Sequence, residues 1–168
     1  MYARMGRTEA GTDGAAELFT LHRLAGSDEI VLSLWETVEQ AAADPTAEWY
    51  LVGADRSGGS RGEEPKVCAL MTFDGPVSEP VRAAAERAGN ERIGPRMATH
   101  EGTVRTVSLW QPERRVLRVI LMSTSVEALE DAQRVVMSTE LLPGEDPALL
   151  PGPDHVDLYR VFATAVVK

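Results

Sequence analysis

The stretch AELFTLHRLAGSDEIVLSLWETVEQ, residues 16–40, decides the fold that the chain is expected to adopt. Its first half predicts a β-strand followed by a tight turn, and Ser27 and Asp28 are residue types that begin a helix. The apolar residues after the turn recur at helical spacing, which predicts a helix that ends before Pro45. The buried face of this helix would comprise Ile30, Val31, Leu34, Val38 and Ala41.

Alternating apolar and β-branched residues predict further strands along the chain. These strands are AEWYLVGA (47–54), KVCALMTF (66–73), GTVRTVSLW (102–110), RRVLRVILM (114–122) and HVDLYRVFATAV (155–166). The first two should pair as a hairpin across the flexible polar connection at 55–65, and a short turn at 111–113 should join the third and fourth.

Two more helices are predicted from their capping residues. Ser78, with a proline in the first turn, predicts a helix that stops at 89–90. Thr124 and Glu127 form a capping-box pattern at the start of a helix that runs to about Leu141.

The order of elements predicts an α+β fold. It contains one complete β-α-β-β-α-β unit, as in ferredoxin-like proteins, with a mostly antiparallel sheet, helices on one face and an extra C-terminal β-α-β segment. Short links at 55–65 and 111–113 disfavour the competing parallel sheet. We expect residues 1–15 to be a disordered leader and residues 16–168 to form one domain with a long loop at 141–155.

The segments LFTLHRLAGSDEIVLSLWETVE (18–39) and EWYLVGADRSGG (48–59), together with the element order over residues 16–122, resemble the dimeric α/β-barrel superfamily. This group includes antibiotic-biosynthesis monooxygenases and small polyketide cyclases. The resemblance implies two sheets paired into a barrel and an apolar aromatic ligand held between helices and sheet. Some members oxidise or cyclise that ligand without metal or flavin. No catalytic residue transfers, and the Asn, Trp and His constellation of the haem-degrading branch has no spaced counterpart here.

Charge and hydropathy exclude several classes of partner. The net charge of −9 and the lack of a basic stripe argue against nucleic acid. No apolar run approaches the ~20 residues that cross a bilayer, so we expect no membrane partner. The N-terminus lacks the apolar core of a secretory signal, which favours a cytoplasmic protein.

Chemical motifs for cofactors are missing from the sequence. No glycine-rich nucleotide loop, Cys-x-x-Cys pair or His-Glu-x-x-His helix occurs, so we expect neither a bound cofactor nor a metal. The histidines, His22, His100 and His155, are dispersed, which favours solvated side chains over a shared metal site. The single cysteine, Cys68, lies in an apolar strand and is expected to be a structural, unreactive thiol.

Three residues are candidates for catalysis. Strand alternation places His22 and Arg23 on opposite faces. His22 is either an edge residue that reaches solvent, which is the simpler interpretation, or a polar group at the mouth of an apolar cavity, and Arg23 is expected at the surface. Arg118 lies among apolar residues, so it needs an anionic partner: either a ligand oxygen or a carboxylate in a structural ion pair. In the catalytic hypothesis, His22 or Tyr159 takes a phenolic proton and Arg118 stabilises the anion that results.

Candidate substrate-binding residues are aromatic or lie on the last strand. They are Trp35, Trp49, Tyr50, Trp110 and Asp157. Core packing explains the aromatic residues equally well. The Pro/Gly-rich segment at 141–155 is either a lid over the ligand or a rigid connector.

These observations predict a cofactor-independent oxygenase or cyclase that acts on an aromatic, polyketide-like molecule in secondary metabolism. A non-catalytic, dimeric small-molecule-binding or accessory protein is the alternative. A homodimer is expected, because ferredoxin-like sheets leave an edge or face that a second copy covers. The elements after residue 113 could instead complete the sheet within one chain.

Overall fold

Strands dominate the architecture of this protein. A computed structural model describes residues 1–7, 12 and 14–165 of the chain. Its strands are β1 (Tyr2–Gly6), β2 (Glu17–Arg23), β3 (Glu29–Trp35), β4 (Glu48–Ser57), β5 (Val67–Phe73), β6 (Thr103–Gln111), β7 (Val116–Ser123) and β8 (His155–Ala165). Its helices are α1 (Val38–Ala41), α2 (Glu79–Arg87), α3 (Gly94–Thr99) and α4 (Val126–Ser138), with π-helical turns over Ala88–Ile93 and a 3₁₀ turn at Pro147–Leu149.

The strands of the described residues pair into one closed, antiparallel barrel in the order β1-β3-β2-β8-β5-β7-β6-β4. Strand β1 closes the ring, because it pairs with both β3 and β4. The α+β class and the antiparallel pairing are thus confirmed. Closure within one chain removes the sheet edge that a second copy was expected to cover. The elements after residue 113 complete the sheet, as the second possibility required.

The helix expected after Ser27 is wrong, because Glu29–Trp35 is strand β3. A tight hairpin joins it to β2, and the Arg23 N–H donates to the Asp28 carbonyl at 2.9 Å. All five side chains from Val31 to Trp35 are buried. A continuous apolar run satisfies helical and strand spacing alike, and here both faces of a strand are covered. Of the helix expected after Ser27, only the four residues of α1 are helical.

Two other expectations are wrong because strands pair with partners that are distant in sequence. Residues Tyr2–Gly6 of the expected disordered leader form β1, and Ala3 and Met5 lie in the barrel core. The expected hairpin of the strands at 47–54 and 66–73 does not form. Strand β4 pairs with β1 and β6, and β5 pairs with β7 and β8. The predicted β6–β7 hairpin is confirmed.

The helices lie outside the barrel: α1 packs against β1, β3 and β4, and α4 packs against β5, β6 and β7. Ser78 caps α2 as predicted, but the helical chain continues beyond residues 89–90 through the π-helical turns into α3. Helix α4 is capped by Ser125, whose side chain accepts from Ala128 N–H, and not by Thr124. The helical layer over β5 and β7 contains Val67, Ala69, Met97, Leu121, Leu129 and Ala132. No helix of the described residues is long and apolar enough to cross a membrane.

Packed side chains fill the barrel interior. Tyr50, Leu21, Leu32, Leu34, Leu109, Ile120 and Met122 are among its most deeply buried members. An eight-stranded barrel is just wide enough for side chains to fill it. The space for a ligand therefore lies at the ends of the barrel, where the strand termini and their loops meet.

Candidate functional site

A surface cavity lies at the barrel end where β2, β4 and β6 bring polar side chains to the lumen. Its volume is about 420 Å³, within the range of small-molecule sites. We call it the mouth pocket. It is lined by Glu17, Phe19, Asp55, Ser57, Arg61, Gly62, Glu63, Pro65, Val104, Arg105 and Met122.

Arg105 is the central polar residue of the mouth pocket. It lies two and four residues from the core residues Val107 and Leu109, so strand alternation turns it into the lumen. Its Nε donates to Asp55 Oδ1 at 2.7 Å and its Nη2 to Asp55 Oδ2 at 2.6 Å. The same guanidinium reaches across the lumen to Glu17 on β2, with Nη2 at 3.2 Å from Oε1.

These contacts fix the electrostatics of the mouth pocket. The hydrogen bonds of Asp55, and after them those of Glu17, hold the pKa of Arg105 above its usual value despite burial. Two carboxylates face one guanidinium, so the group carries one uncompensated negative charge. All three side chains are at most about a quarter exposed, which limits screening by water.

The floor of the mouth pocket is apolar. Phe19 and Met122 belong to the barrel core and close the lumen beneath the polar residues. The Arg105 guanidinium lies 5.9 Å from the centroid of the Phe19 ring. An apolar floor below convergent polar groups is the usual construction of a ligand site.

One wall of the mouth pocket is a loop that packs tightly against the start of β6. A Cβ atom at Gly58 would lie 2.1 Å from the Thr103 carbonyl oxygen, and the Ser60 N–H donates to that oxygen at 2.9 Å. Thr103 is fixed in turn by His100, whose Nδ1 lies 2.8 Å from Thr103 Oγ1. The His100 Nε2 lies 2.9 Å from Asp131 Oδ2 on α4, which lowers the pKa of Asp131. The wall is therefore held to the helical layer.

Arg118 lies at the opposite end of the barrel. Its Nη2 is 3.1 Å from Glu48 Oε2, and its guanidinium lies 5.2 Å from the centroid of the Tyr50 ring. Tyr50 also donates its hydroxyl hydrogen to Glu48, and Arg114 pairs with the same carboxylate. Of the two roles considered for Arg118, the geometry is that of the structural ion pair.

The ionisation of this cluster follows from its contacts. Burial pushes the pKa of Glu48 upward, but the Tyr50 hydrogen bond and the charges of Arg118 and Arg114 outweigh it and lower that pKa. Burial, and then the hydrogen bond to Glu48, raise the pKa of Tyr50 above its ordinary value. Tyr50 thus stays protonated and Glu48 stays ionised at neutral pH.

Of the two alternatives for His22, the structure shows the side chain that reaches solvent, whereas Arg23, expected at the surface, lies on the lumen side of β2. His22 is exposed on the outside of the barrel, with Nε2 at 3.1 Å from Glu29 and its ring edge against Phe162. Arg23 shares the lumen-facing side of β2 with the core residue Leu21 and pairs with Asp157.

Tyr159 lies near the Arg23 and Asp157 pair, inside the barrel, and its side chain is buried. Burial first, and then the charge of Asp157, raise the pKa of Tyr159. Tyr159 lies opposite Cys68 and Arg23 in the sheet, Arg118 lies opposite Thr72, four residues further along β5, and His22 is outside the barrel. The three proposed catalytic residues do not converge on one cavity.

The tryptophans lie on the outer surface of the sheet. The Arg4 guanidinium lies 4.6 Å from the centroid of Trp35, and Trp35 Nε1 donates to Ser33 at 2.9 Å. Trp49 packs against Trp35, and Trp110 lies beneath Arg82. Among the expected substrate-binding residues, Tyr50 and Asp157 have side chains toward the lumen.

Two further expectations concern Cys68 and the segment at 141–155. Cys68 is buried in the barrel, and this burial raises the pKa of its thiol to about 12, which fits a structural role. In the 141–155 segment, Glu145 is clamped by Arg92, with Arg92 Nε at 2.9 Å from Glu145 Oε2. None of its residues lines the mouth pocket. Within the described residues, no cluster of three or more His, Cys, Asp or Glu side chains could hold a metal.

Sequence reasoning missed Glu17, Asp55 and Arg105. One signal was available, since Arg105 occupies an apolar register with Val107 and Leu109 in a predicted strand, as Arg118 does in the next. The partners of Arg105 lie 50 and 88 residues away in sequence. Only the barrel closure brings them together.

No family model matches the chain, and no curated protein matches it. Solved structures do. An anthrone oxidase-like protein matches with a TM-score of 0.59 and 12% identity, over 99% of this chain and 92% of that one. A Lactobacillus acidophilus protein assigned as a monooxygenase matches with a TM-score of 0.63 and 11% identity, over 99% and 95%. LmHde, a heme-degrading enzyme from Listeria monocytogenes, matches with a TM-score of 0.57 and 10% identity, over 95% and 99%.

These matches extend over nearly the whole chain, at identities that show the fold alone. The resemblance to the superfamily of antibiotic-biosynthesis monooxygenases is confirmed at that level. The chain thus shares the fold of these proteins.

Proposed function

We propose that this protein is a cofactor-independent oxygenase or cyclase that acts on an aromatic, polyketide-like small molecule of secondary metabolism in the cytoplasm. The observation that carries the proposal is the mouth pocket, with its apolar floor and its partly buried carboxylates. The oxygenase-like fold supports the reaction class. The proposed chemistry is therefore assigned to the mouth pocket and not to His22, Arg118 or Tyr159.

A flat aromatic ligand suits the shape of the site. Its ring would lie over Phe19 and Met122, and a ring hydroxyl would donate a hydrogen bond to the carboxylate of Glu17 or Asp55. These residues belong to β2 and β4 on different sides of the lumen, so the ligand is oriented by strands and not by flexible loops alone. A rigid scaffold of this kind holds a reacting group in position.

The proposed chemistry begins with a proton transfer. A carboxylate takes the proton of the phenol or enol, and the Arg105 guanidinium then faces the new substrate anion in place of that carboxylate. The total charge of the pocket is unchanged by this step. The electron-rich anion either attacks a carbonyl of the same molecule and closes a ring, or reacts with dioxygen from solution. In the oxidation of a ring CH₂ to C=O, one dioxygen is reduced, one of its oxygen atoms enters the product and the other leaves as water.

The alternative is a non-catalytic, homodimeric binding or accessory protein. Exposed apolar side chains on the outer face of β8 and the adjoining turn favour a second copy there. They are Leu24, Val156, Leu158 and Phe162. This face lacks the helical layer that covers β5 and β7.

An oxygen-uptake experiment separates the two functions. Anthrone is added to the protein, and dioxygen consumption and anthraquinone absorbance are followed against a protein-free solution. The enzyme hypothesis predicts uptake of one dioxygen per product, and a large loss of rate in Asp55→Asn. Glu113→Gln, an exposed turn residue that removes the same charge, is the matched control. Anthrone binding without uptake would favour the accessory role, and neither binding nor uptake would overturn the proposal.

A further inference from the structure

We infer that the mouth pocket selects its ligand by charge: it takes an aromatic body that carries a protonated amine or a neutral hydrogen-bond donor, and it rejects aromatic carboxylates. This inference rests on the proposed function, since it concerns the ligand of the same pocket. An arginine in a ligand site usually holds a ligand anion, but Arg105 is already paired with Glu17 and Asp55, so it is not open to an anion that enters from solution.

The hydrogen bonds of Arg105 are the first observation that supports this charge selection. A guanidinium has five N–H donors. Its Nε–H and one Nη2–H are taken by Asp55, and the other Nη2–H and one Nη1–H are taken by Glu17. One N–H remains, so a ligand carboxylate cannot form the usual two-point contact. To do so it would have to displace Glu17 or Asp55.

The net charge of the mouth pocket is the second observation. Glu17 and Asp55 together bring two negative charges against the single positive charge of Arg105. At the exposed rim, Arg61 and Glu63 offset each other. An anion that enters therefore meets a net negative site, whereas an ammonium group compensates it. Each carboxylate oxygen also has lone pairs left to accept from a ligand donor.

The apolar cavity beneath these charged groups is the third observation. Phe19 and Met122 lie below the carboxylates, so a ligand head that bonds to the carboxylates places its apolar body over these two side chains. Burial of that body excludes water from the head group, and the electrostatic preference becomes stronger than at an open surface. The apolar floor and the polar rim thus act on the two parts of one molecule.

Three probes with one aromatic body test the inference by calorimetric titration at pH 7.5. They are 2-naphthylmethylammonium, 2-naphthylmethanol and 2-naphthoate. We expect the ammonium probe to bind most tightly and the carboxylate most weakly, with roughly tenfold between them, the change that about 1.4 kcal/mol produces. The gap should narrow at high salt, because the preference is electrostatic.

Variants show whether Glu17 is responsible. Glu17→Gln keeps a hydrogen-bond acceptor for Arg105 but removes the surplus charge, so the gap between the ammonium and carboxylate probes should largely close. Asp55→Asn is the second variant in case the first does not fold, and Glu113→Gln at the far end of the barrel is the control that should keep the gap.

The outcomes separate this inference from the function on which it rests. If no probe binds, the pocket is not a ligand site and both proposals fail. If all bind and naphthoate is the tightest or equal to the others, the charge selection is overturned while ligand binding stands. An unchanged gap in both carboxylate variants would also overturn it.

Discussion

Replacement of Arg118 by methionine tests the assignment of the Arg118, Glu48 and Tyr50 cluster as structural. Methionine keeps much of the packing volume and removes every donor. The lost ion pair is partly buried, with side-chain exposures of 21% for Arg118 and 33% for Glu48. A fully buried pair costs about 3–5 kcal/mol to break and an exposed pair about 0.2–1 kcal/mol.

The expected loss lies between those limits. Glu48 keeps Arg114 and the Tyr50 hydroxyl as partners in the variant, so it is not stranded. We therefore expect the free energy of unfolding to fall by about 2 kcal/mol, which corresponds to a decrease in Tm of roughly 4–8 °C for a chain of this length. Arg96→Met, at an exposed helical arginine, is the control for the same change of side chain and should shift Tm little.

The stability difference between wild type and Arg118→Met should depend on pH in a defined direction. The pKa of Glu48 is lowered in the folded state, so its stabilising contribution is present above the unfolded pKa and is lost as pH falls through the folded value. The difference between wild type and Arg118→Met should shrink from pH 7 towards pH 3. Urea unfolding at both pH values measures this difference in stability. The affinity for naphthol is measured separately on the same two proteins. Unchanged stability with a large loss of affinity would refute the ion-pair assignment and restore Arg118 as a ligand anchor.

Three other changes have defined outcomes. Native Cys68 should resist iodoacetamide, because its thiol pKa is raised to about 12, and should react only in urea; rapid labelling of the folded protein would contradict its burial. Gly58→Ala should lose at least about 2 kcal/mol in urea unfolding, because its Cβ would meet the Thr103 carbonyl, while Gly152→Ala, with open space around it, should lose almost none. His22→Ala should change the unfolding free energy by less than about 0.5 kcal/mol and leave ligand affinity unaltered, and a loss of affinity would place His22 back in the site.

Local patterns predicted much of the strand content but not its pairing. The β6–β7 hairpin and the cap at Ser78 depend on neighbouring residues, so they could be predicted from the sequence. The run at 30–35 is apolar at almost every position, and its identity as strand β3 depends on the partners that cover both faces. Strand β1 has only five residues, and no alternation of apolar and polar residues marks it as a strand. It is held in place by its pairing with β3 and β4, which the local sequence does not show.

The candidate site shows the same division between local and long-range information. A polar residue in an apolar register marked both Arg105 and Arg118 as unusual. Whether each faces a cavity or a packed end depends on residues far away in sequence, such as Glu17 for Arg105 and Glu48 for Arg118. The direction of Arg23 depends likewise on Asp157, which is distant in sequence and lies on the neighbouring strand β8.

Residue-resolved mapping of ligand contact tests the central claim most directly. An ¹⁵N-labelled sample is titrated with 2-naphthol, and amide shift changes are followed along the chain. We predict that the changes cluster at residues 17–19, 55–63 and 104–105, around the mouth pocket, and weaken in Glu17→Gln. Changes centred on Tyr50 and Arg118 at the opposite end, or no saturable changes at all, would contradict it.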